Sequence, residues 1–441
     1  MKKRFGVFLL ALLCCAPLTA CSSGSQTAAA SSQEDVRCPL PEQVPDLSFF
    51  QEPVTDAPAE TGIPENPLYQ TQITSANGVV LAEIQEGHWK LTEDGLRYEG
   101  LMNSITPDAV VGPEIKNVLR LNTEKMDACA RILQDAGIEG CAIVTDPKGQ
   151  VDMICNNPPD QNYAAMPNFN GSTAKLFVST AILDHGVQQD YDDPGFFDPG
   201  WHRYYNHDTT VPYPSPIRRD LLNAFTVSSN AYFMHAACEL LSHEDLLATY
   251  NRYYAYNLFG RADTGYYYPA DWMRIPQPKW NTIQDNQFER GKSAIGMSDQ
   301  VMITPLYLNA VTNAIASDGL YQLNLMQDSP VRKINEAEPL SDEMRSKMWE
   351  LMDSCAKWTN QTVFSSINGY HVYIKTGTAD THYGEQNEHY LKRLLITGFL
   401  TKDGQPVKTI TLYCHNGAES AFGGNSGMAA YYKQIAELLL Q

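Results

Sequence analysis

Ser172 and Lys175 stand three residues apart in the stretch FNGSTAKLFVSTAIL, residues 169–183. On a helix, positions three apart share a face, so the lysine nitrogen can touch the serine hydroxyl. A neutral amine there can take the hydroxyl proton and leave an alkoxide-like nucleophile. An amphipathic helix with a solvated lysine would be written in the same letters. The pair therefore needs partners elsewhere in the chain before it means chemistry.

Three short patterns supply candidates. Ser-x-x-Lys occurs at Ser172/Lys175 and at Ser354/Lys357, and Ser-x-Asn at Ser75/Asn77, Ser228/Asn230 and Ser366/Asn368. Lys-Thr-Gly occurs once, at Lys375, Thr376 and Gly377. Each pattern alone is cheap, and a lone Lys375 reads as a surface lysine. Order and context discriminate. Ser172 opens a helix, Ser228 enters one, and Lys375 lies on a strand. Ser354 falls too close to Lys375 to leave room for the helices between, so Ser354 and Ser366 read as ordinary surface serines.

Ser172/Lys175, Ser228/Asn230 and Lys375-Thr-Gly, in that order, resemble the penicillin-binding protein transpeptidase domain, whose motif trio is shared with serine β-lactamases. The resemblance extends over roughly residues 70–441. It includes NGVVLAEI (77–84), CAIVTDPKGQVDMI (141–154), LLNAFTVSSNAYF (221–233), SAIGMSDQVMITPLYLNAVTNAIASDG (293–319) and GGNSGMAAYY (423–432). It implies an α+β fold of the β-lactamase/transpeptidase kind, an antiparallel sheet covered by helices with an all-helical subdomain.

The resemblance also implies roles. Ser172 is the nucleophile, Lys175 its base, Ser228 a proton relay, and Asn230 a holder of Lys175 and the substrate amide. Lys375 attracts the terminal carboxylate of a D-Ala-D-Ala stem, and Thr376 and Thr378 hydrogen-bond it. Gly377 lets the substrate backbone approach. Backbone N–H groups of Ser172 and Thr378 form the oxyanion hole. Expected partners are peptidoglycan stem peptides, β-lactams and other cell-wall synthesis proteins. No cofactor is implied. The aromatic loop FFDPGWHRYYNHD (196–208) gathers His202, His207 and Asp208, but it falls where the family has a groove-rim loop, so no metal is expected.

The elements that must position these residues are legible in the patterning. TEKMDACARILQDAGI (123–138) has helical spacing with Thr123 as its cap, and EGCAIVTDPKGQVDMIC (139–155) reads as two strands around Asp-Pro-Lys-Gly. Thr304-Pro305 opens a helix through Ala316. HVYIKTGTA, RLLITGFLT and KTITLYCHN read as three successive strands, and GMAAYYKQIAELLL as a closing helix. Strands at both ends with helices between them give the same α+β class.

The 441 residues are 43% hydrophobic, with 26 prolines, 29 glycines and a formal charge of −19. That charge argues against nucleic acid and against a polybasic membrane patch. The N-terminus has Lys2, Lys3 and Arg4, an apolar run too short for a comfortable membrane span, and Leu18-Thr19-Ala20-Cys21, which resembles a bacterial lipobox. Residues 1–20 thus read as a lipoprotein signal peptide, with Cys21 as the lipidated residue on the extracytoplasmic face of a bacterial membrane. Residues 21–69 read as a Ser/Ala-rich and then Pro-rich tether, and 70–441 as the transpeptidase domain. Cys14 and Cys15 leave with the signal. Cys38, Cys129, Cys141, Cys155, Cys238, Cys355 and Cys414 are then an odd, dispersed set without C-x-x-C, expected to be buried free thiols.

The expected activity is D,D-transpeptidation. A β-lactamase, a D,D-carboxypeptidase and a non-catalytic β-lactam sensor are the alternatives. A lactamase needs a water and a base against the acyl ester. No family-matching glutamate is found, although a carbamylated Lys175 could serve. Ser-Ser-Asn at the second motif also differs from the Ser-x-Val or Ser-Asp-Asn common in lactamases.

Overall fold

The computed structural model describes residues 72–86, 88–105, 117–199, 203–206, 209–254, 266–267, 275–276, 278, 280–327, 330–335, 337–383, 389–417 and 423–440. The leader, Cys21, the tether, Cys38, His202, His207 and Asp208 lie outside them.

The Asp-Pro-Lys-Gly turn behaves as its chemistry dictates. Asp146 Oδ1 accepts from the backbone N–H of Lys148 (2.8 Å) and Gln150 (2.9 Å), and Gly149 supplies φ +75°. The turn joins strands β1 (Gly140–Thr145) and β2 (Val151–Asn157). Three long strands follow late in the chain: β3 (His371–Tyr383), β4 (His389–Lys402) and β5 (Gln405–Cys414). Together they form one antiparallel sheet in the order β3-β4-β5-β1-β2. β3, which carries Lys-Thr-Gly, is an edge strand. A separate three-stranded sheet is built from Gln72–Thr74, Val80–Gln85 and His88–Leu91.

Helix α1 (Thr123–Asp135) buries Met126, Cys129 and Leu133. Its cap is Asn122, accepting from Lys125 N at 3.1 Å, and not Thr123. The Thr123 hydroxyl is already engaged with Asn77, whose Nδ2 donates to it at 2.9 Å. The Ser75/Asn77 pattern is thus a turn that ties the small sheet to α1. Helices α2 (Lys175–Asp184), α3 (Leu221–Thr226) and α4 (Asn230–His235) form the helical layer, joined by α5 (Gln287–Ala294). That layer also holds two short ribbons, Tyr191–Asp193 with Ile217–Arg219 and Phe196–Phe197 with Tyr204–Tyr205. Helix α6 (Pro305–Ala316) starts at Thr304, which caps it by accepting from Tyr307 N at 3.2 Å.

All twelve residues of α6 are buried, and it lies across β5, β4 and β1. This interface is polar at its centre. Asn309 accepts from Thr145 Oγ1 (2.8 Å) and donates to Thr411 Oγ1 (3.2 Å), Thr312 and Thr397 share a hydrogen bond of 2.8 Å, and Asn313 accepts from Thr409 Oγ1 (2.9 Å). Each side chain is matched by a partner, as buried polar groups require. Helix α7 (Asp342–Phe364) covers β3, and its end meets α8 (Asn425–Leu440) through Phe364 against Tyr432, 5.8 Å apart.

Cys129, Cys141, Cys155, Cys238, Cys355 and Cys414 are free and buried, in line with the expectation. Among the described residues no helix is long and apolar enough to cross a membrane.

Candidate active site

The nucleophile turn is a 3₁₀ segment, Gly171–Ala174, that runs directly into α2. Gly171 has φ +50°, and a Cβ on it would lie 2.3 Å from the carbonyl oxygen of Thr378, so no larger residue fits. The turn is moored on both sides: Asn168 and Ile303 exchange backbone hydrogen bonds (2.9 and 3.2 Å), and Gly171 N donates to Gly296 O (3.1 Å). Gly377 has a role the sequence reading did not give it. A Cβ there would meet Asn170 O at 2.8 Å and Thr173 Cγ2 at 2.9 Å. Its bareness lets the nucleophile turn press against β3.

Lys175 Nζ is wholly buried and lies 2.9 Å from Ser172 Oγ, 3.0 Å from Ser228 Oγ, 2.6 Å from Ser228 O and 2.9 Å from Asn230 Oδ1. Counting donors narrows what these contacts can be. Asn230 Nδ2 donates to Tyr205 O at 2.8 Å, which turns its Oδ1 toward Lys175. That oxygen and the Ser228 carbonyl can only accept. They engage two N–H bonds of the lysine, so a neutral amine has its lone pair left for a serine hydroxyl.

Neutrality is favoured. Burial pushes Lys175 well below the ordinary lysine value, and the Lys375 ammonium pushes it the same way, while Asp193 pulls it upward. Lys375 is itself buried and lowered by burial. Its Nζ donates to Ser228 Oγ at 3.0 Å and to Thr376 O at 3.1 Å, and stands 5.2 Å from the centre of the Phe225 ring. Ser228 Oγ therefore bridges the two lysines.

Ser228 has φ +58°, uncommon for a residue with a Cβ and the kind of strain found at functional sites. What holds it there was not visible in the sequence. Its neighbour Ser229 caps α4, accepting from Tyr232 N (3.1 Å) and donating to Asp193 Oδ2 (2.7 Å). Asp193, with no exposed surface, also accepts from Arg219 Nε (2.7 Å), Asn206 Nδ2 (2.9 Å) and Gly195 N (2.7 Å). Asn206 Oδ1 accepts from Ala231 N at 2.9 Å. The side chains that Asp193 engages, Asn206, Arg219 and Ser229, are 13 to 36 residues away in the sequence.

Among the sequence-predicted residues, Ser172, Lys175, Ser228, Asn230 and Lys375 meet in one hydrogen-bonded cluster. Gly377 and Thr378 border the nucleophile turn. The side chains of Thr376 and Thr378, alternate to Lys375, lie on the opposite side of β3 from it. The decoys stay apart: Ser354 Oγ pairs with Thr226 Oγ1 at 2.6 Å, Lys357 is an exposed partner of Asp353, and Ser366 Oγ donates to Val363 O. Among the described residues no group of three or more His, Cys, Asp or Glu could hold a metal ion.

A serine, a buried amine whose pKa is lowered by burial, a bridging hydroxyl and a second lysine form an acyl-transfer constellation. No curated protein matches the chain. Among solved structures, penicillin-binding protein A from M. tuberculosis, as its penicillin G acyl-enzyme complex, is similar in fold. The match has TM-score 0.64 and 17% identity, over 85% of this chain and 100% of that one. The D,D-transpeptidase domain of a peptidoglycan glycosyltransferase from Eggerthella lenta matches with TM-score 0.61 and 18% identity, over 84% and 98%. Penicillin-binding protein 3 from M. tuberculosis, complexed with aztreonam, matches with TM-score 0.64 and 16% identity, over 84% and 95%. Residues 140–437 match the penicillin binding protein transpeptidase domain. The chain belongs to that family.

Proposed function

We propose that the protein is a serine D,D-transpeptidase that cross-links peptidoglycan stem peptides and is acylated by β-lactams at Ser172. The observation that carries this reading is the placement of the buried Lys175 amine, held by two obligate acceptors and within hydrogen-bond distance of both the Ser172 and the Ser228 hydroxyl. Ser172 Oγ bonds to the penultimate D-alanyl carbonyl carbon while its proton passes to Lys175. The bond to the terminal D-alanine breaks, and the proton reaches the departing amine through Ser228. Backbone N–H groups of Ser172 and Thr378 hold the oxyanion. Lys375 attracts the substrate carboxylate by its charge, Thr376 and Thr378 hydrogen-bond it, and Asn230 holds Lys175 and the substrate amide. An acceptor amine then attacks the ester, and the proton retraces its path.

Incubation with a labelled penicillin, followed by peptide mapping, is expected to place the label on Ser172 and none on Ser354. The penicilloyl-enzyme should last minutes to hours, with little turnover of a chromogenic cephalosporin. A D-Ala-D-Ala peptide mixed with an acceptor amine should give the cross-linked product. Label on Ser354 would overturn the assignment. Rapid cephalosporin turnover that vanishes in Ser172→Ala would make the protein a β-lactamase, and release of D-alanine without cross-linking would make it a carboxypeptidase.

The leader supports a second part of the proposal: Cys21 becomes the lipidated N-terminus, anchoring the domain on the extracytoplasmic face of the membrane through the 21–69 tether. Intact mass of detergent-extracted protein should give a chain that starts at a diacylglyceryl-modified Cys21. Membrane anchoring that survives Cys21→Ala would refute this.

A further inference from the structure

Asn425, the first residue of α8, touches β3 beside the nucleophile, and neither the motifs nor the donor count above involve it. Its Nδ2 lies 3.1 Å from Gly377 O and 3.1 Å from Thr378 Oγ1. A carbonyl can only accept, so the nitrogen must be the atom facing Gly377. That nitrogen can only donate, so Thr378 Oγ1 accepts from it. The hydroxyl's own proton is thereby left free for another partner. Thr378 makes no other hydrogen bond through its side chain among the described residues. It stands on an edge strand, its backbone carbonyl against Gly171 of the nucleophile turn.

Asn425 is itself fixed from behind. Asn360 interrupts the helical backbone of α7 (φ −166°, ψ 79°), and its Nδ2 donates to Ser426 O at 3.1 Å. Asn360 thus ties the first turn of α8 to α7.

We infer that Asn425 is a positioning residue that makes Thr378 a one-way donor toward an anionic substrate group, the carboxylate of a stem peptide or penicillin. This rests on the function proposed above. Without Asn425 the Thr378 hydroxyl can turn its proton to Gly377 O or to water, and the carboxylate meets an unoriented group.

The test is a double-mutant cycle on the acylation rate constant, k2/K, with a penicillin and with its methyl ester. Asn425→Ala and Thr378→Val should each lower k2/K for the penicillin about tenfold, as expected for a hydrogen bond to a charged group. The double variant should lose no more than either single one. With the methyl ester, Asn425→Ala should have almost no effect, because the carboxylate is gone. Additive losses, or equal losses with acid and ester, would overturn the inference and leave Asn425 a structural residue. If Asn425→Ala does not fold, Asn425→Ser, too short to reach Thr378, gives the same readout. An unaltered protein that no penicillin acylates would instead sink the proposed function itself.

Discussion

Replacing Lys175 with alanine should slow penicillin acylation by at least about 10³-fold, because nucleophile and base act as one unit. The pH profile gives a sharper check. Acylation needs the Lys175 lone pair, so the rate should fall as pH drops through the amine's own pKa. Burial and the Lys375 charge hold that pKa well below the ordinary lysine value, so the rate should persist toward neutral pH. Lys375→Met removes one downward influence and should move the acid limb to higher pH. Asp193→Asn removes an upward influence and should move it lower. Stopped-flow acylation across pH measures both. Limbs that move in the same direction would refute this account of the amine.

The largest effect on stability is expected at Asp193. Its carboxylate is fully buried and joins Arg219, Asn206, Ser229 and Gly195. Asp193→Ala leaves the Arg219 guanidinium, 6% exposed, without its counter-charge. Losing one partner of a buried pair costs about 3–5 kcal/mol. Ser229→Ala, which removes the cap of α4 and one hydrogen bond to Asp193 but leaves the ion pair with Arg219, should cost about 2 kcal/mol. Denaturant titration compares the two. A loss at Asp193 no larger than at Ser229 would show that the pair has little net value. The Asp193→Ala variant should also lose acylation, since Asp193 fixes Ser229, the residue next to Ser228 at φ +58°.

What the sequence revealed and what it hid divide along physical lines. The sheet was legible because β1 to β5 alternate or run apolar between recognisable turns, and Thr304-Pro305 announces α6. The cluster of Ser172, Lys175, Ser228 and Lys375 was legible only through its ordered motifs. Supporting residues were not. Asp193, Asn206, Arg219 and Asn425 are ordinary polar letters whose meaning lies in long-range hydrogen bonds, which leave no local period. The cap of α1 was missed for a related reason: Thr123 is a good capping residue, but Asn77, 46 positions earlier, claims its hydroxyl. Gly377 was read as clearance for substrate, and its missing side chain also makes room for the nucleophile turn, a contact no local pattern announces.

The asparagines and threonines between α6 and the sheet have a consequence for mechanical tolerance. Apolar burial is non-directional, so an all-apolar interface discriminates less between neighbouring registers than a hydrogen-bonded one. Here a slip of one turn, about 5.4 Å, would leave Asn309, Thr312 and Asn313 facing the wrong threonines, each a buried group with nothing to bond. The helix has a single notch. Ile303, just ahead of α6, is stitched to Asn168, four residues before Ser172, and Thr397 on β4 lies opposite Lys375 on β3. The same dowel thus indexes the serine's layer to the lysine's layer. Asn309→Leu should keep the fold while blurring that alignment, leaving two halves of a site that no longer close on the same atom.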